Sequence, residues 1–146
     1  MKEINSMKLE FPSKSANEAF ARGAVACFVS QLDMTLTELG DIKTAVSEAV
    51  TNCIVHAYPD KLGTITLRVR ILEGDTVEIQ VKDKGRGIEN VDKAREPLYT
   101  TGGEDRSGMG FTIMESFMDT LKVRSRPGAG TTVTMRRKIE KRTGSR

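Results

Sequence analysis

At 146 residues with a formal net charge of +3, the chain has the size of one domain with material for a real core, and leaves no room for a separate dimerisation, sensor or transducer domain. Aromatic residues make up only 5% and tryptophan is absent, so there is no base-stacking platform and no direct nucleic-acid partner is expected. No apolar run approaches the roughly 20 residues needed to cross a bilayer, and Met1-Lys2-Glu3-Ile4-Asn5 has no signal-peptide core, so a cytoplasmic protein without membrane contact is expected.

In chain order, Met7 to Phe11 reads as a short first strand that Pro12 ends. Ser15-Ala16-Asn17-Glu18 has the form of a capping box opening a helix to about Leu32, and Thr35-Leu36-Thr37-Glu38 opens a second to about Tyr58, before Pro59. Thr64 to Leu72 and Thr76 to Asp83 form a hairpin across Glu73-Gly74-Asp75, which has turn chemistry. Ile88 to Ala94 reads as a short helix. Thr100 to Ser107, polar and containing Gly102-Gly103, reads as a mobile loop. A helix with apolar positions Phe111, Met114, Phe117 and Met118 follows, then a last hairpin, Leu121 to Arg126 and Thr131 to Ile139, around Pro127-Gly128-Ala129-Gly130. Helices before and between antiparallel hairpins imply an α/β fold: a two-layer α/β sandwich with a mixed, mostly antiparallel sheet and helices on one face, residues 1–146 being a single domain.

Cys27 and Cys53 fall among apolar residues of expected helices and read as small core residues. His56 is a lone histidine; with no His or Cys cluster a zinc site is not expected. The basic tail, from about residue 140 to 146, reads as a solvated, frayed terminus or as a contact for nucleic acid or an acidic partner.

The chemistry lies between these features. In the second helix Glu48 and Asn52 are four residues apart, about 40° round the axis, so they share a face. Leu39, Ile42, Val46, Ala49, Val50 and Cys53 form a separate apolar stripe. The Asn52 amide oxygen is a hard neutral ligand of the kind Mg²⁺ accepts beside phosphate oxygens, and Glu48 is placed to take a proton from an attacking hydroxyl or water. An E-x-x-x-N pair on its own also describes two polar residues solvating an amphipathic helix. Asp83 ends a strand and is followed by Gly85-Arg86-Gly87. A carboxylate there can accept from the exocyclic amine of adenine, and glycines permit a close backbone approach; an ordinary Asp-Gly turn has the same form. Gly108 and Gly110 precede the Phe111 helix, whose first N–H groups and positive dipole end suit an anion; a loop that merely needs positive φ has the same form. The dinucleotide fingerprint fails for want of a third glycine after Gly85 and Gly87. The Walker motif fails because Met109 and Gly110 stand where Lys and Ser or Thr belong.

Taken together and in order, Glu48-x-x-x-Asn52, Asp83-x-Gly85-x-Gly87, Gly108-x-Gly110 and Gly130-Thr131 resemble the N, G1 and G2 boxes and the last adenine-side motif of the GHKL, or Bergerat-fold, ATPase and kinase superfamily. Longer stretches are similar to the anti-sigma-F serine kinases of sporulating bacteria: Phe20-Ala21-Arg22, Val46 to Asn52, Pro97 to Thr101 and Arg106 to Glu115. The resemblance implies a protein serine/threonine kinase that uses ATP with Mg²⁺, yields ADP, and also sequesters a sigma factor of the sigma-F type as a homodimer. It implies that Glu48 is catalytic, that Asn52 holds Mg²⁺, and that Asp83 reads adenine with support from Thr131, through water or directly. It gives Gly85 and Gly87 the base side, and Arg106, Ser107, Gly108 and Gly110 the phosphates. The kinase acceptor is then a serine of an anti-anti-sigma factor, and Arg22 is the partner-docking residue, or else a solvated helix arginine. Gly102-Gly103 departs from a bulky or proline-containing lid and gives the backbone more freedom. Two alternatives stay open: a GHKL ATPase driving a conformational change, and an ATP-dependent binding module without kinase activity.

Overall fold

The computed structural model describes residues 1–96 and 110–140. These form five strands, β1 (Glu3–Pro12), β2 (Thr64–Leu72), β3 (Thr76–Asp83), β4 (Thr120–Arg126) and β5 (Gly130–Lys138), and four α-helices, α1 (Ala16–Val29), α2 (Leu36–Asn52), α3 (Val91–Ala94) and α4 (Gly110–Phe117). The sheet order is β1-β2-β3-β5-β4. Every pairing is antiparallel, so the expectation of a mixed sheet is corrected in that detail while the two-layer α/β sandwich stands.

Period-two alternation sends Ile65, Leu67 and Val69 of β2, Val77, Ile79 and Val81 of β3 and Val133 and Met135 of β5 into one apolar layer. Against it lie Val25 and Val29 of α1 and Ile42, Val46 and Val50 of α2, all fully buried. Burying each such side chain contributes about 1.5–3 kcal/mol before entropy is charged. Phe11 at the end of β1 meets Phe20 of α1 edge to face, with ring centroids 6.3 Å apart, and so anchors the first helix to the sheet edge.

On the opposite sheet face, Arg70, Glu78 and Arg136 stand in one rank across β2, β3 and β5. Glu78 accepts from Arg70 Nε and Nη2 at 2.8 and 2.6 Å on one oxygen, and from Arg136 Nε and Nη2 at 2.8 and 2.7 Å on the other. These two forks bury a carboxylate on a polar face and fix the register of three strands.

Several local expectations change. β1 is ten residues long rather than five, because pairing with β2 extends it back to Glu3. Ser15 makes no side-chain cap; its backbone is already helical, and the start of α1 is tied down by Asn17 Nδ2 donating to Pro12 O at 2.9 Å. α1 also stops at Val29, with the Ser30 and Gln31 side chains donating to Cys27 O and Phe28 O. Cys27 is exposed, not a core residue: it follows Val25 by two positions and therefore points away from the stripe that buries Val25 and Val29. The Thr35 and Glu38 capping box forms reciprocally, as its sequence indicates. The helix it opens runs as α only to Asn52 and continues as a π-helical turn, Cys53–Ala57, closed by Tyr58 N–H donating to Cys53 O at 3.1 Å. The third helix is confined to Val91–Ala94, capped by Asn90. The hairpin at 73–75 is as expected, with Gly74 and Asp75 both at positive φ.

Candidate functional site

One end of the α2 and α4 pair, the π turn and the ends of β3 and β5 converge. α4 packs on α2, and Arg137 of β5 holds it there: Nη1 donates to Asp41 Oδ2 on α2 at 2.9 Å and to the carbonyl of Phe117, at the end of α4, at 2.6 Å. A cation on the last carbonyls of a helix also complements its dipole. The other end of α4 then faces α2. An ideal Cβ on Gly110 would lie 3.1 Å from Asn52 Oδ1 and 3.4 Å from Glu48 Oε2. The expectation that Glu48 and Asn52 share a face, separate from the buried stripe of Ile42, Val46, Ala49 and Val50, agrees with this geometry. The Asn52 amide oxygen, a hard neutral donor at the first residue of a helix, fits a Mg²⁺ ion shared with phosphate oxygens, and the Glu48 carboxylate stands beside it. The residues Arg106, Ser107 and Gly108, and the loop with Gly102-Gly103, lie outside the described residues.

Asp83 closes β3 and is 4% exposed. Its Oδ1 accepts from Gly85 N–H at 2.9 Å and from Thr131 N–H at 3.1 Å, while Oδ2 accepts from the Cys53 thiol at 3.4 Å. Burial raises the Asp83 carboxyl above its usual range, and the hydrogen bonds from Gly85, Cys53 and Thr131 partly offset that. Burial also pushes the Cys53 thiol well up, with the neighbouring carboxylate adding to it, so the thiol stays protonated and donates. Thr131 meets Asp83 directly through its backbone N–H, across the Asp83–Thr131 register pair.

The two glycines after Asp83 have internal reasons. A Cβ at Gly85 would stand 2.4 Å from the Ala57 carbonyl in the π turn. Gly87 has φ +77°, and a Cβ there would meet Arg126 O at 1.9 Å. The segment is knitted on both sides: Arg86 N–H donates to Ala57 O, Gly128 N–H donates to Arg86 O, and Ile88 N–H donates to Ser125 Oγ at 2.8 Å. Ser125 in turn donates to Gly130 O at 3.0 Å, which leaves the Thr131 hydroxyl as donor in their 2.7 Å contact. The glycines therefore let the turn sit against its own protein.

Sequence reasoning missed four of these contributors. Cys53 reads from sequence as packing alone. Ser125, Tyr58 and Arg137 carry no motif; Tyr58 accepts from Lys84 N–H at 2.6 Å and donates to Thr64 O at 2.9 Å, fixing the chain just after Asp83. Arg22 lies on α1, away from this cluster in sequence, with its side chain 42% exposed and Nε 3.6 Å from Glu18 Oε2. His56 is half-buried within the π turn. Among the described residues no helix is long and apolar enough to cross a membrane.

A family model described as a histidine kinase-like ATPase domain matches residues 11–137. The chain is 57% identical over 140 residues to the anti-sigma F factor of Caldanaerobacter subterraneus subsp. tengcongensis, covering 95% of this chain and 97% of that one. It is 54% identical over 136 residues to the anti-sigma F factor of Clostridium acetobutylicum, with 92% and 94% covered. Among solved structures it is similar to the RsbU and RsbW domains of a Mycobacterium tuberculosis protein, with a TM-score of 0.71 at 16% identity over 94% of this chain and 33% of that one. The histidine kinase domain of a blue-light activated kinase from Erythrobacter litoralis gives 0.61 at 24% identity, over 84% and 60%. Both structural likenesses speak to the fold.

Proposed function

The chain belongs to the anti-sigma F factors of the histidine kinase-like ATPase family, and from that premise we propose that it sequesters a sigma-F-type sigma factor, blocking its use by RNA polymerase, and phosphorylates a serine of the anti-anti-sigma factor with Mg-ATP. The observation that carries the reading is the meeting of Asn52, Glu48 and Gly110 at one end of α2 while Asp83, buried and held by three donors, closes β3 beyond the π turn.

Asp83 accepts the exocyclic amine of adenine, and the start of α4 offers N–H groups to the phosphates. Asn52 holds Mg²⁺, which when bound neutralises phosphate charge as it develops. Glu48 orients the acceptor hydroxyl and takes its proton: the bond from the γ-phosphorus to the ADP oxygen breaks, a bond to the serine oxygen forms, and ADP leaves. Arg22 docks the partner from the exposed side of α1, and the working form is a cytoplasmic homodimer. In this reading sequestration and phosphorylation are alternative uses of one small surface.

Incubation with γ-labelled ATP and an anti-anti-sigma protein tests this. A labelled partner, lost when its acceptor serine is replaced by alanine, is expected. Free phosphate alone would indicate an ATPase that drives a conformational change, and neither product would indicate a nucleotide-stiffened binding module.

A further inference from the structure

An ionised carboxylate has about four lone-pair sites. On Asp83 two are taken on Oδ1 by the Gly85 and Thr131 amides, and one on Oδ2 by the Cys53 thiol. Among the described residues nothing takes the fourth site, on Oδ2, beside the thiol. Among the described residues no lysine or arginine forms an ion pair with Asp83. The two amides are set by strand register and turn; of the three donors only the thiol is a side chain. Cys53 is also the residue after Asn52 and the first of the π turn, so it joins the helix of the metal and phosphate side to the carboxylate of the base side.

We propose that Cys53 is a positioning and specificity-determining residue of the base pocket: by donating to Oδ2 it holds Asp83 as an acceptor for an exocyclic amine, and against a base that presents a carbonyl at that edge. The inference rests on the reading of Asp83 as the group that meets adenine. Adenine offers its N6 amine as a donor where guanine offers O6 as an acceptor. A carboxylate accepts from the first and repels the second, whereas a protonated Asp83 donates to O6. Burial pushes Asp83 towards the protonated form and the three donors oppose it. Loss of the thiol therefore moves the balance towards protonation and weakens discrimination. Among the described residues the titratable groups facing Asp83 are Cys53 and Tyr58; β2 and β5 present Ile65 and Thr131, neither titratable.

The test uses the full chain as wild type, Cys53→Ala, Cys53→Ser and Asp83→Asn. Carboxyl ¹³C NMR follows Asp83 in the nucleotide-free protein, and calorimetry measures ADP and GDP affinity from pH 5 to 8. In Cys53→Ala the Asp83 titration should move to higher pH, acid loss of ADP binding should move with it, and the preference for ADP over GDP should fall roughly 3- to 10-fold, the worth of one hydrogen bond. Cys53→Ser, which restores a donor, should bring all three back. An unmoved titration and an unmoved ADP to GDP ratio in Cys53→Ala would overturn the proposal and leave Cys53 as packing. If Asp83→Asn binds ADP as wild type does, the base-reading premise fails and the proposal with it, even where the NMR titration shifts. Should Cys53→Ala not fold, Cys53→Val removes the donor while filling the volume.

Discussion

Gly110 stands against the side chain of Asn52, so closely that a Cβ at 110 would lie 3.1 Å from Oδ1. Two motifs separated by 58 residues thus form one surface, and each has a distinct test. Asn52→Ala should abolish Mg²⁺-dependent ATP binding, because a methyl cannot replace the amide oxygen in an octahedral shell. Gly110→Ala should displace that amide by a few tenths of an ångström and weaken Mg-ATP several-fold at nearly unchanged Tm. Calorimetry with and without Mg²⁺ decides; equal affinities in Asn52→Ala and wild type would remove Asn52 from the site.

Glu48→Gln keeps the shape of the side chain and loses the base. ATP and sigma-factor binding should persist while phosphoryl transfer falls by roughly 10²-fold or more, the scale of a general base. Single-turnover transfer to the anti-anti-sigma partner is the measurement. Near-normal transfer would return Glu48 to the role of a solvating carboxylate.

Arg137 acts on the site through α4. Arg137→Met removes its hydrogen bonds to Asp41 Oδ2 and to the Phe117 carbonyl. The expected loss is about 1–3 kcal/mol of stability, since one bond joins two charged, mostly buried groups. ATP affinity should fall with it, because the start of α4 is no longer held against Asn52. Denaturant melts paired with calorimetry separate the two effects.

Glu78 gives the protein an acid-sensitive clasp. Burial on its own would raise its carboxyl, but hydrogen bonds from Arg70 and Arg136, with their charges, bring it below the ordinary 4.5. A carboxyl lowered by folding stabilises the native state above its unfolded pKa, and that contribution is lost as pH falls through the folded value. Wild-type stability should therefore drop below about pH 4.5, while Glu78→Gln starts lower at neutral pH, by about 1–3 kcal/mol, and falls less steeply with acid. Urea denaturation at pH 7, 5, 4 and 3.5 gives both slopes.

Arg22→Glu tests the docking face. The substitution reverses a charge on α1 and replaces the contact with Glu18 by repulsion, far from Asp83 and Asn52 in sequence. ATP binding should stay intact while partner binding weakens by tenfold or so, mainly through slower association. A single small domain also has little room for two independent interfaces of about 800 Å² each, so the sigma factor and the antagonist should compete. Normal binding of both partners by the variant, or a ternary complex on one subunit in native mass spectrometry, would refute the shared surface.

The strand and helix order, the 73–75 hairpin, the Thr35 capping box and the shared face of Glu48 and Asn52 are legible in the chain before it folds. Each depends on residues within a few positions of one another, where periodicity, capping and turn chemistry act. The sequence also carried the family, because the ordered boxes are read directly from residue identity. Tertiary structure decided what lies across the chain. Asp83 meets Thr131 only because β3 and β5 pair in one register, and it meets Cys53, 30 residues away, where the second helix passes into the π turn and packs on the end of β3. Strand register likewise sets Glu78 of β3 between Arg70 of β2 and Arg136 of β5, a clasp that no local pattern shows. The capping box at Ser15 and the core placement of Cys27 failed for the same reason: local pattern proposes a contact, but the packing of α1 on the sheet selects which side chains are in reach.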